Sequence, residues 1–455
     1  MSKIYEFTPA YSLVKGYMLF SFRHYYREII VTGREYLPTD GSPVIFAPNH
    51  LNALMDSLAI STLVPHKQAV IYLARADFFA HKTIAKLMSF AKIMPAFRMR
   101  DGIENLEKNN RIFYQCVDVL RFNHALCIMP EGGQGEEHKI RPLAKGIFRI
   151  AFEAQQQFGQ SKKVKIIPVG IDMGDLIKSG KHLIINIGKP IEISDYTESY
   201  ETNPAAATNE LRDLLKESLS GLTLDLATNR YYKSFETITD IVSNEYAEQD
   251  KNDTITLGKF KLKQQTAAKL IRIENEDPEK MKELSRLAAN YKKIISKLKF
   301  KSGVFSQLKQ DEPSIKLFLK LFITFPIFLV GFVTNVLPAF VPVWVRKLLK
   351  VEYDGFYSSV QFGLGLITFP LFYILQTILV ANLFSLSWWM ILIFIILQYF
   401  SRSIAVKWYS RCRKFIAHAR FNGLLVQRTH VANVLYRAIS VRNKIIYRMD
   451  NDIKD

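Results

Sequence analysis

Two long segments without charged residues constrain the fold of this chain more than any other feature. No Asp, Glu, Lys or Arg occurs from residue 321 to 345, and none occurs over the 47 positions from 355 to 401. Because a membrane-spanning helix needs about 20 apolar residues, the second segment predicts a two-span hairpin over 357–401. The first segment contains the prolines Pro326, Pro338 and Pro342. Since prolines interrupt helices, we predict a proline-broken hairpin over 321–345, either re-entrant or interfacial.

The charge of the chain indicates its partners and its orientation. The 61 Lys and Arg residues outnumber the 42 Asp and Glu residues, for a net charge of +19. This bias predicts anionic partners, and the aromatic residues of the apolar segments favour a membrane surface over nucleic acid. The tail 402–455 has 12 basic and 3 acidic residues. Because basic segments remain cytosolic, we expect this tail and the region before residue 320 in the cytosol, separated by an even number of crossings.

The cysteines bear on cofactors and on the cellular compartment. Cys116, Cys127 and Cys412 are scattered along the chain and form no CxxC or His/Cys cluster. This spacing predicts neither a disulfide framework nor a zinc site, and it is typical of a reducing, cytosol-facing domain. We expect no metal ion and no cofactor.

Outside the apolar segments, the pattern of apolar, aromatic and charged residues divides the chain into several regions. Apolar strand-like runs alternate with helical segments over 28–220, which predicts an α/β domain with a mostly parallel sheet flanked by helices. Residues 1–27 mix aromatic and basic side chains and predict an interfacial helix, with docking on the domain as the alternative. We expect a charged helical region of structural role over 221–312, a membrane region over 313–401 and a basic helical tail over 402–455.

One histidine lies at a predicted strand-to-helix corner, where catalytic groups are often found. The corner reads Asn49-His50-Leu51-Asn52-Ala53-Leu54-Met55-Asp56. An imidazole can take a proton from an attacking hydroxyl, and a carboxylate on its other nitrogen fixes the tautomer. Six helical positions advance about 600°, so the pair can meet only if His50 precedes the helix. The alternative is a solvated loop histidine and an unrelated aspartate at the helix start.

Three further blocks follow this corner in order: Pro95-Ala96-Phe97-Arg98, Met129-Pro130-Glu131-Gly132-Gly133 and Ile167-Pro168-Val169-Gly170-Ile171. Together the four blocks resemble the phospholipid/glycerol acyltransferase superfamily, whose members transfer a fatty acyl group from a thioester to a glycerol-phosphate hydroxyl. The resemblance covers residues 28–220 and implies a glycerolphosphate-acyltransferase-like fold.

The resemblance also implies a role at each matching position. His50 would be the general base on the acceptor hydroxyl, and Asp56 would orient it. The implied substrate-binding positions are Asn49, Arg98, Glu131, Gly132, Gly133, Pro168 and Gly170, of which the last two would support the acyl-donor side. The chemistry agrees with this assignment, because a guanidinium suits phosphate and glycine lets backbone N–H groups approach an anion.

The sequence departs from the usual family pattern at two places. Five residues separate His50 from Asp56 instead of four, which is similar to a branch that contains glycerol-3-phosphate and dihydroxyacetone-phosphate acyltransferases and has a hydrophobic C-terminal region. The third block continues with Gln134 and Gly135 where an arginine is usual. We hypothesise that the basic residues downstream replace this arginine; they are Arg141, Lys145 and Arg149.

These features predict an integral membrane enzyme with its catalytic domain on the cytosolic face. It would transfer an acyl group from a thioester of coenzyme A or acyl carrier protein to glycerol-3-phosphate, or to dihydroxyacetone phosphate, at a lipid surface. One alternative is acylation of 1-acylglycerol-3-phosphate, and another is a catalytically inactive, membrane-anchored lipid-binding scaffold. We do not expect a nucleic-acid partner.

Overall fold

The structure is a computed structural model that describes residues 4–6, 8–96, 105–246, 255–298, 300, 315–351, 353–426 and 430–450. The chain forms two compact units. The first, which we call the catalytic unit, comprises Met1–Asp225 and Glu352–Ser359, and the second, the helical unit, comprises Leu226–Val351 and Val360–Asp455. Each unit buries apolar side chains of its own.

An eight-stranded sheet forms the centre of the catalytic unit. Its strands are β1 (Glu28–Thr32), β2 (Val44–Pro48), β3 (Val70–Arg75), β4 (Ile93–Ala96), β5 (Ala125–Cys127), β6 (Lys165–Met173), β7 (His182–Ile187) and β8 (Ile191–Glu192). Their order across the sheet is β1-β7-β6-β2-β5-β3-β4, with β8 beside β6. Neighbours are parallel, except that β6 pairs antiparallel with β7 and β8. The predicted α/β fold with a mostly parallel sheet is confirmed.

Amphipathic helices flank this sheet. They are α1 (Pro9–Tyr25), α2 (Ala53–Ser61), α3 (Lys82–Phe90), α4 (Asn105–Arg121), α5 (Gly146–Phe158), α6 (Thr197–Thr202) and α7 (Pro204–Leu222). In α7, Leu211, Leu215 and Leu219 recur every four residues and are buried, as expected for one face of a helix. These leucines pack in the same apolar core as Ile45 of β2, which holds the sheet and its helices together.

Helix α1 docks on the catalytic unit through one face. Leu19 and Phe22 on that face are buried. Lys15 is also buried, and its Nζ donates to the carbonyl oxygens of Pro65 at 3.3 Å and Gln68 at 2.6 Å. Burial lowers the pKa of Lys15 to about 8. The opposite face exposes apolar and aromatic side chains, those of Leu13, Tyr17 and Phe20.

The helical unit is built from long helices. They are α8 (Tyr232–Tyr246), α9 (Ile255–Glu276), α10 (Pro278–Lys297), α11 (Ile315–Leu348), α12 (Asp354–Phe384), α13 (Trp388–Val426) and α14 (His430–Asp450). The first residues of α12, up to Ser359, belong to the catalytic unit. Among the described residues, α11, α12 and α13 are long and apolar enough to cross a membrane.

The basic tail packs on the charged helical region. Arg442 of α14 is buried and pairs with Glu245 of α8, while Nη2 of Arg448 lies 3.2 Å from Oε1 of Glu283 in α10. The Nζ of Lys269 in α9 donates to the carbonyl oxygen of Met449. Residues 232–297 and the tail therefore contact each other within one unit.

The prediction of a proline-broken hairpin over 321–345 is wrong, because α11 is one continuous helix. A proline removes the hydrogen bond to the carbonyl four residues earlier. Pro338 thus leaves the carbonyl of Thr334 without its helical donor, and Gln376 Nε2 donates to it at 3.0 Å. Pro342 does the same to the carbonyl of Pro338, which accepts from Thr368 Oγ1 at 2.9 Å. Side chains of α12 therefore replace the lost bonds, as neighbouring helices can in a membrane.

Candidate active site

The histidine corner follows strand β2. The strand ends at Pro48, and α2 begins at Ala53. Since β2 is parallel to β5 on one side and to β6 on the other, the carboxyl ends of all three strands meet at one edge of the sheet, where ligands bind in open α/β folds. Asn49 fixes the corner to β6. Its Nδ2 donates to the carbonyl of Ile171 at 3.0 Å, and its Oδ1 accepts from the N–H of Ile171 at 2.6 Å.

His50 and Asp56 contact each other directly. Nδ1 of His50 lies 2.9 Å from Oδ2 of Asp56. His50 precedes α2 and Asp56 lies in its first turn, so the turn over residues 51–52 absorbs the extra residue between them. The hydrogen bond to a carboxylate places the ring proton on Nδ1 and leaves Nε2 as the basic nitrogen. The His50 side chain retains 12% exposure, which suits a base that must reach a substrate hydroxyl.

Asp56 is fully buried, and its orientation is fixed by several donors. Besides the imidazole, the backbone N–H groups of Leu51 and Asn52 donate to Oδ2 at 2.9 Å and 2.7 Å. Its Oδ1 is buried with no hydrogen-bond partner among the described residues. Burial raises the pKa of Asp56, and the hydrogen bonds from His50 and the backbone oppose that shift. The carboxylate is therefore held rigidly at the imidazole, in surroundings that resist its ionisation.

Glu131 braces the corner from the loop after β5. Its Oε1 accepts from the N–H of His50 at 2.9 Å, and its Oε2 accepts from Nε of Arg141 at 2.8 Å. The Glu131 side chain is only 3% exposed. Gly132 has a φ of 66°, a conformation that glycine adopts without strain, and the N–H of Gly135 donates to the carbonyl of His50 at 3.0 Å. This loop and the histidine corner form one hydrogen-bonded structure.

The three basic residues suggested as phosphate ligands differ in their surroundings. Arg141 is bound within the loop, because its guanidinium also donates to the carbonyls of Gln134, at 2.5 Å, and Gly133. Lys145 is exposed just before the start of α5, and Arg149 is exposed on α5. The guanidinium carbon of Arg149 lies 4.6 Å from the centre of the Phe113 ring. Nη2 of Arg149 also donates to Oδ1 of Asn110 at 3.4 Å. Lys145 and Arg149 are exposed, whereas Arg141 is only partly so.

Pro168 and Gly170 lie in β6. The carbonyl of Pro168 accepts from the N–H of Gly188 at 2.9 Å. A Cβ atom at Gly170 would lie 2.2 Å from the carbonyl oxygen of Leu222, so only glycine fits beside the end of α7. The structure therefore gives Gly170 a packing role.

One predicted site residue, Arg98, lies outside the described residues. Conversely, sequence reasoning did not single out Asn52, Ser358 or Ser359. Asn52 is fully buried at the N-cap of α2, and its Nδ2 donates to Oγ of Ser358 at 2.6 Å. The sequence signal was a pair of serines near the start of an otherwise apolar segment. Over the described part of the chain, no three His, Cys, Asp or Glu side chains are grouped so that they could hold a metal ion.

Comparisons with known proteins bear on the same part of the chain. Residues 28–172 match the Acyltransferase family model. A chloroplastic 1-acyl-sn-glycerol-3-phosphate acyltransferase of Arabidopsis thaliana is 22% identical over 195 residues, which are 42% of this chain and 49% of that protein. Glycerol-3-phosphate O-acyltransferase 1 of Saccharomyces cerevisiae is 23% identical over 139 residues, 30% of this chain and 18% of that protein.

Among solved structures, the 1-acyl-sn-glycerophosphate acyltransferase of Thermotoga maritima is 17% identical, with a TM-score of 0.33, over 46% of this chain and 76% of that one. The alignments with the two curated relatives cover 49% and 18% of their lengths, so the chain matches less than half of either. The family match coincides with the unit that contains the histidine corner and the Glu131 loop. Residues 28–172 therefore form an acyltransferase domain of the phospholipid/glycerol acyltransferase superfamily.

Proposed function

We propose that this protein is a membrane-bound O-acyltransferase that transfers a fatty acyl group from a thioester to glycerol-3-phosphate. The observation that carries the proposal is the contact between His50 and Asp56 at 2.9 Å, with Nδ1 bound and Nε2 remaining as the base. The five-residue spacing and the similarity to a yeast glycerol-3-phosphate O-acyltransferase support this acceptor.

The proposed reaction needs no nucleophile from the protein. Nε2 of His50 takes the proton of the acceptor hydroxyl as the oxygen attacks the thioester carbonyl carbon. The tetrahedral intermediate then collapses, the C–S bond breaks, and the proton on His50 passes to the departing sulfur. Asp56 stabilises the imidazolium between these steps. The products are an ester and a free thiol, and His50 returns to its starting state.

We propose that Lys145 and Arg149 bind the acceptor phosphate in place of the arginine that the third block lacks. Both are exposed, whereas the Arg141 guanidinium is hydrogen-bonded to Glu131 and to loop carbonyls. The ammonium of Lys145, just before α5, and the guanidinium of Arg149, in the first turn of α5, offer several donors to a phosphate.

We further propose that the catalytic domain lies at the cytosolic surface of the membrane. The net charge of +19 favours anionic lipid, and the exposed face of α1, with Leu13 and Phe20, suits the membrane interface. This arrangement would bring the active site close to the membrane that receives the lipid product.

A second acceptor, 1-acylglycerol-3-phosphate, is favoured by the similarity to the plant enzyme. Detergent-purified full-length protein, a labelled acyl thioester of coenzyme A or of acyl carrier protein, and each acceptor in parallel would test both proposals, with His50→Ala as the control. Turnover with glycerol-3-phosphate that the variant loses would support the first acceptor. Turnover only with 1-acylglycerol-3-phosphate would make that lipid the acceptor in place of glycerol-3-phosphate. If no acyl group is transferred to any acceptor, the proposed enzymatic activity is refuted.

A further inference from the structure

The start of the apolar helix α12 belongs to the catalytic unit and contacts the histidine corner. Ser358 and Ser359 are 3% and 7% exposed, although they lie at the edge of a segment otherwise suited to lipid. Both hydroxyls are buried against α2. These contacts join residues that are 305 to 307 positions apart in the sequence.

Asn52 occupies the N-cap position of α2 but directs its side chain to these serines. Its Nδ2 donates to Oγ of Ser358 at 2.6 Å, and its Oδ1 accepts from Oγ of Ser359. An N-cap asparagine ordinarily accepts from an N–H in the first helical turn. Here the N–H of Leu54 donates to Oγ of Ser359 at 3.0 Å. The hydroxyl from α12 thus does the capping, and the asparagine amide holds that hydroxyl.

The backbone of α12 also approaches the corner closely. A Cβ atom at Gly355 would lie 2.8 Å from the carbonyl oxygen of Leu51, so a larger residue would push the helix and the corner apart. The N–H of Asp354 donates to Oε1 of Glu136 at 3.0 Å. A carboxylate at this helix N-terminus is electrostatically favourable, and it anchors the start of α12 to the loop after β5.

These contacts converge on the residues that hold Asp56. The N–H groups of Leu51 and Asn52 donate to its Oδ2, the same oxygen that binds His50. We propose that Asn52, Ser358 and Ser359 are positioning residues for the His50–Asp56 pair, so that the first two turns of an apolar helix complete the active site. This inference rests on the proposed acyl transfer. If it is correct, the orientation of His50 depends on how the start of α12 packs against the histidine corner.

Two independent changes test the proposal in the full-length protein. The double variant Ser358→Ala with Ser359→Ala removes both hydroxyls, and Ser243→Ala, a fully buried serine of α8, is the matched control. Gly355→Ala adds one Cβ at the contact, and Gly363→Ala, whose Cβ would meet nothing within 4 Å, is its control. We expect the test variants to lose about 10- to 100-fold in kcat, because small misplacements of a catalytic group have effects of this size. The KM for the acceptor should change by less than about threefold.

Asn52→Ala and the double serine variant together form a double-mutant cycle. If the three residues act as one unit, combining Asn52→Ala with the two serine changes should reduce kcat no further than Asn52→Ala alone. Losses that multiply would mean separate structural effects and would overturn the proposal. The proposal would also be overturned if the double serine variant and Gly355→Ala fold and keep a kcat within about twofold of the wild type.

A second readout does not require acyl transfer. Modification of His50 by diethyl pyrocarbonate, followed by mass spectrometry of its peptide, reports how firmly the corner is held. We expect the rate to rise severalfold in the two test variants and to remain unchanged in the two controls. If the wild-type protein transfers no acyl group to any acceptor, the proposed function fails, and the modification rates still decide whether α12 positions His50. Equal rates in all variants would refute the positioning role.

Discussion

Asp56 shows how hydrogen-bond donors can hold a carboxylate that has lost its solvation. Its side chain is fully buried, and Oδ2 accepts from the imidazole and from two backbone N–H groups. Burying a carboxylate is unfavourable unless donors compensate, which explains why the donors converge on one oxygen. The arrangement favours a single tautomer of His50, with its proton on Nδ1.

Replacing Asp56 by Asn tests the need for a negative charge beside His50. The amide would fill the same space, and its oxygen would keep the position of Oδ2, because the N–H groups of Leu51 and Asn52 donate there. The imidazolium would then lose its anionic partner. We expect kcat to fall about 10³- to 10⁴-fold while the thermal unfolding temperature stays near that of the wild type. Asp213→Asn, at an exposed position of α7, should leave kcat unchanged. A loss of less than about tenfold for Asp56→Asn would show that the carboxylate is not required.

The pH dependence follows from the same burial. Because burial raises the pKa of Asp56, the carboxyl takes up its proton at a higher pH than an ordinary aspartate, whose pKa is about 4. Activity should be present while the Asp56 carboxyl is ionised and should be lost as the pH falls through the raised pKa of Asp56. A profile of kcat against pH, with folding checked by circular dichroism, would measure this limb. A kcat that stays constant down to about pH 4 would contradict the prediction.

Lys145 and Arg149 give a prediction that separates binding from chemistry. If they bind the acceptor phosphate, the double variant Lys145→Gln with Arg149→Gln should raise the acceptor KM at least about tenfold, since charged hydrogen bonds contribute about 1.5–3 kcal/mol. Arg141→Gln should instead lower kcat, because Arg141 braces the loop that holds the N–H of His50. Lys216→Gln, at an exposed position of α7, is the control. An unchanged KM in the double variant would rule out this phosphate site.

At the scale of secondary structure, α11 illustrates how a neighbouring helix can override local sequence. Its three internal prolines predict interruption, yet the helix runs from Ile315 to Leu348. Thr368 and Gln376 of α12 supply donors to the carbonyls that Pro342 and Pro338 leave without helical partners. Asn335 adds a hydrogen bond to a third helix, because its Nδ2 donates to Oγ of Ser401 in α13 at 3.0 Å.

Thr368→Val should destabilise this group of helices. It removes the donor to the Pro338 carbonyl and keeps the shape of the side chain, so we expect a loss of about 0.6–1.7 kcal/mol, the range for hydrogen bonds between membrane helices. Thr324→Val is the control, because Thr324 Oγ1 donates to a carbonyl of its own helix. Thermal unfolding in detergent would compare them, and equal midpoints would show that the carbonyl does not need Thr368.

For the whole molecule, chain connectivity and contacts within each unit limit the path through a membrane. The tail contacts residues 232–297, so those two segments lie on the same side. The start of α12 contacts the histidine corner, and the sequence over 226–314 contains no apolar segment long enough to cross. The start and the end of α11 therefore belong on one side. Because α11 is one continuous helix and cannot turn back, we expect it to lie along the membrane surface without crossing. We expect α12 with α13 to cross as a hairpin, which gives the even number that the basic tail favours.

Cysteine labelling in sealed vesicles of known orientation would test this path. In a Cys412→Ser background, single cysteines would be introduced at exposed positions as Leu349→Cys, Ser385→Cys and Tyr447→Cys. We expect Leu349→Cys after α11 and Tyr447→Cys in the tail to react from the cytosolic side, and Ser385→Cys between α12 and α13 to react from the other side. Reaction of Leu349→Cys together with Ser385→Cys from the opposite side would mean that α11 crosses the membrane.

The sequence by itself determined the features that depend on local pattern. Alternating strands and helices over 28–220 predicted the mostly parallel sheet, because hydrophobic periodicity reports which faces are buried. The uncharged segment over 355–401 predicted helices suited to a membrane, since length and composition alone set that property. The geometric argument that His50 must precede the helix follows from the helical repeat, and the structure has this arrangement.

Only the tertiary structure decided where distant polar groups meet. The bond between Asn52 and Ser358 joins residues 306 positions apart, and no local periodicity relates two such positions. The same holds for α11, because whether a proline breaks a helix depends on donors from another helix that no window of sequence contains. Arg141 likewise resembled a phosphate ligand in sequence, and its bonds to Glu131 and to loop carbonyls became visible only when the chain was folded. Burial makes each of these polar contacts necessary, and burial is a property of the folded chain.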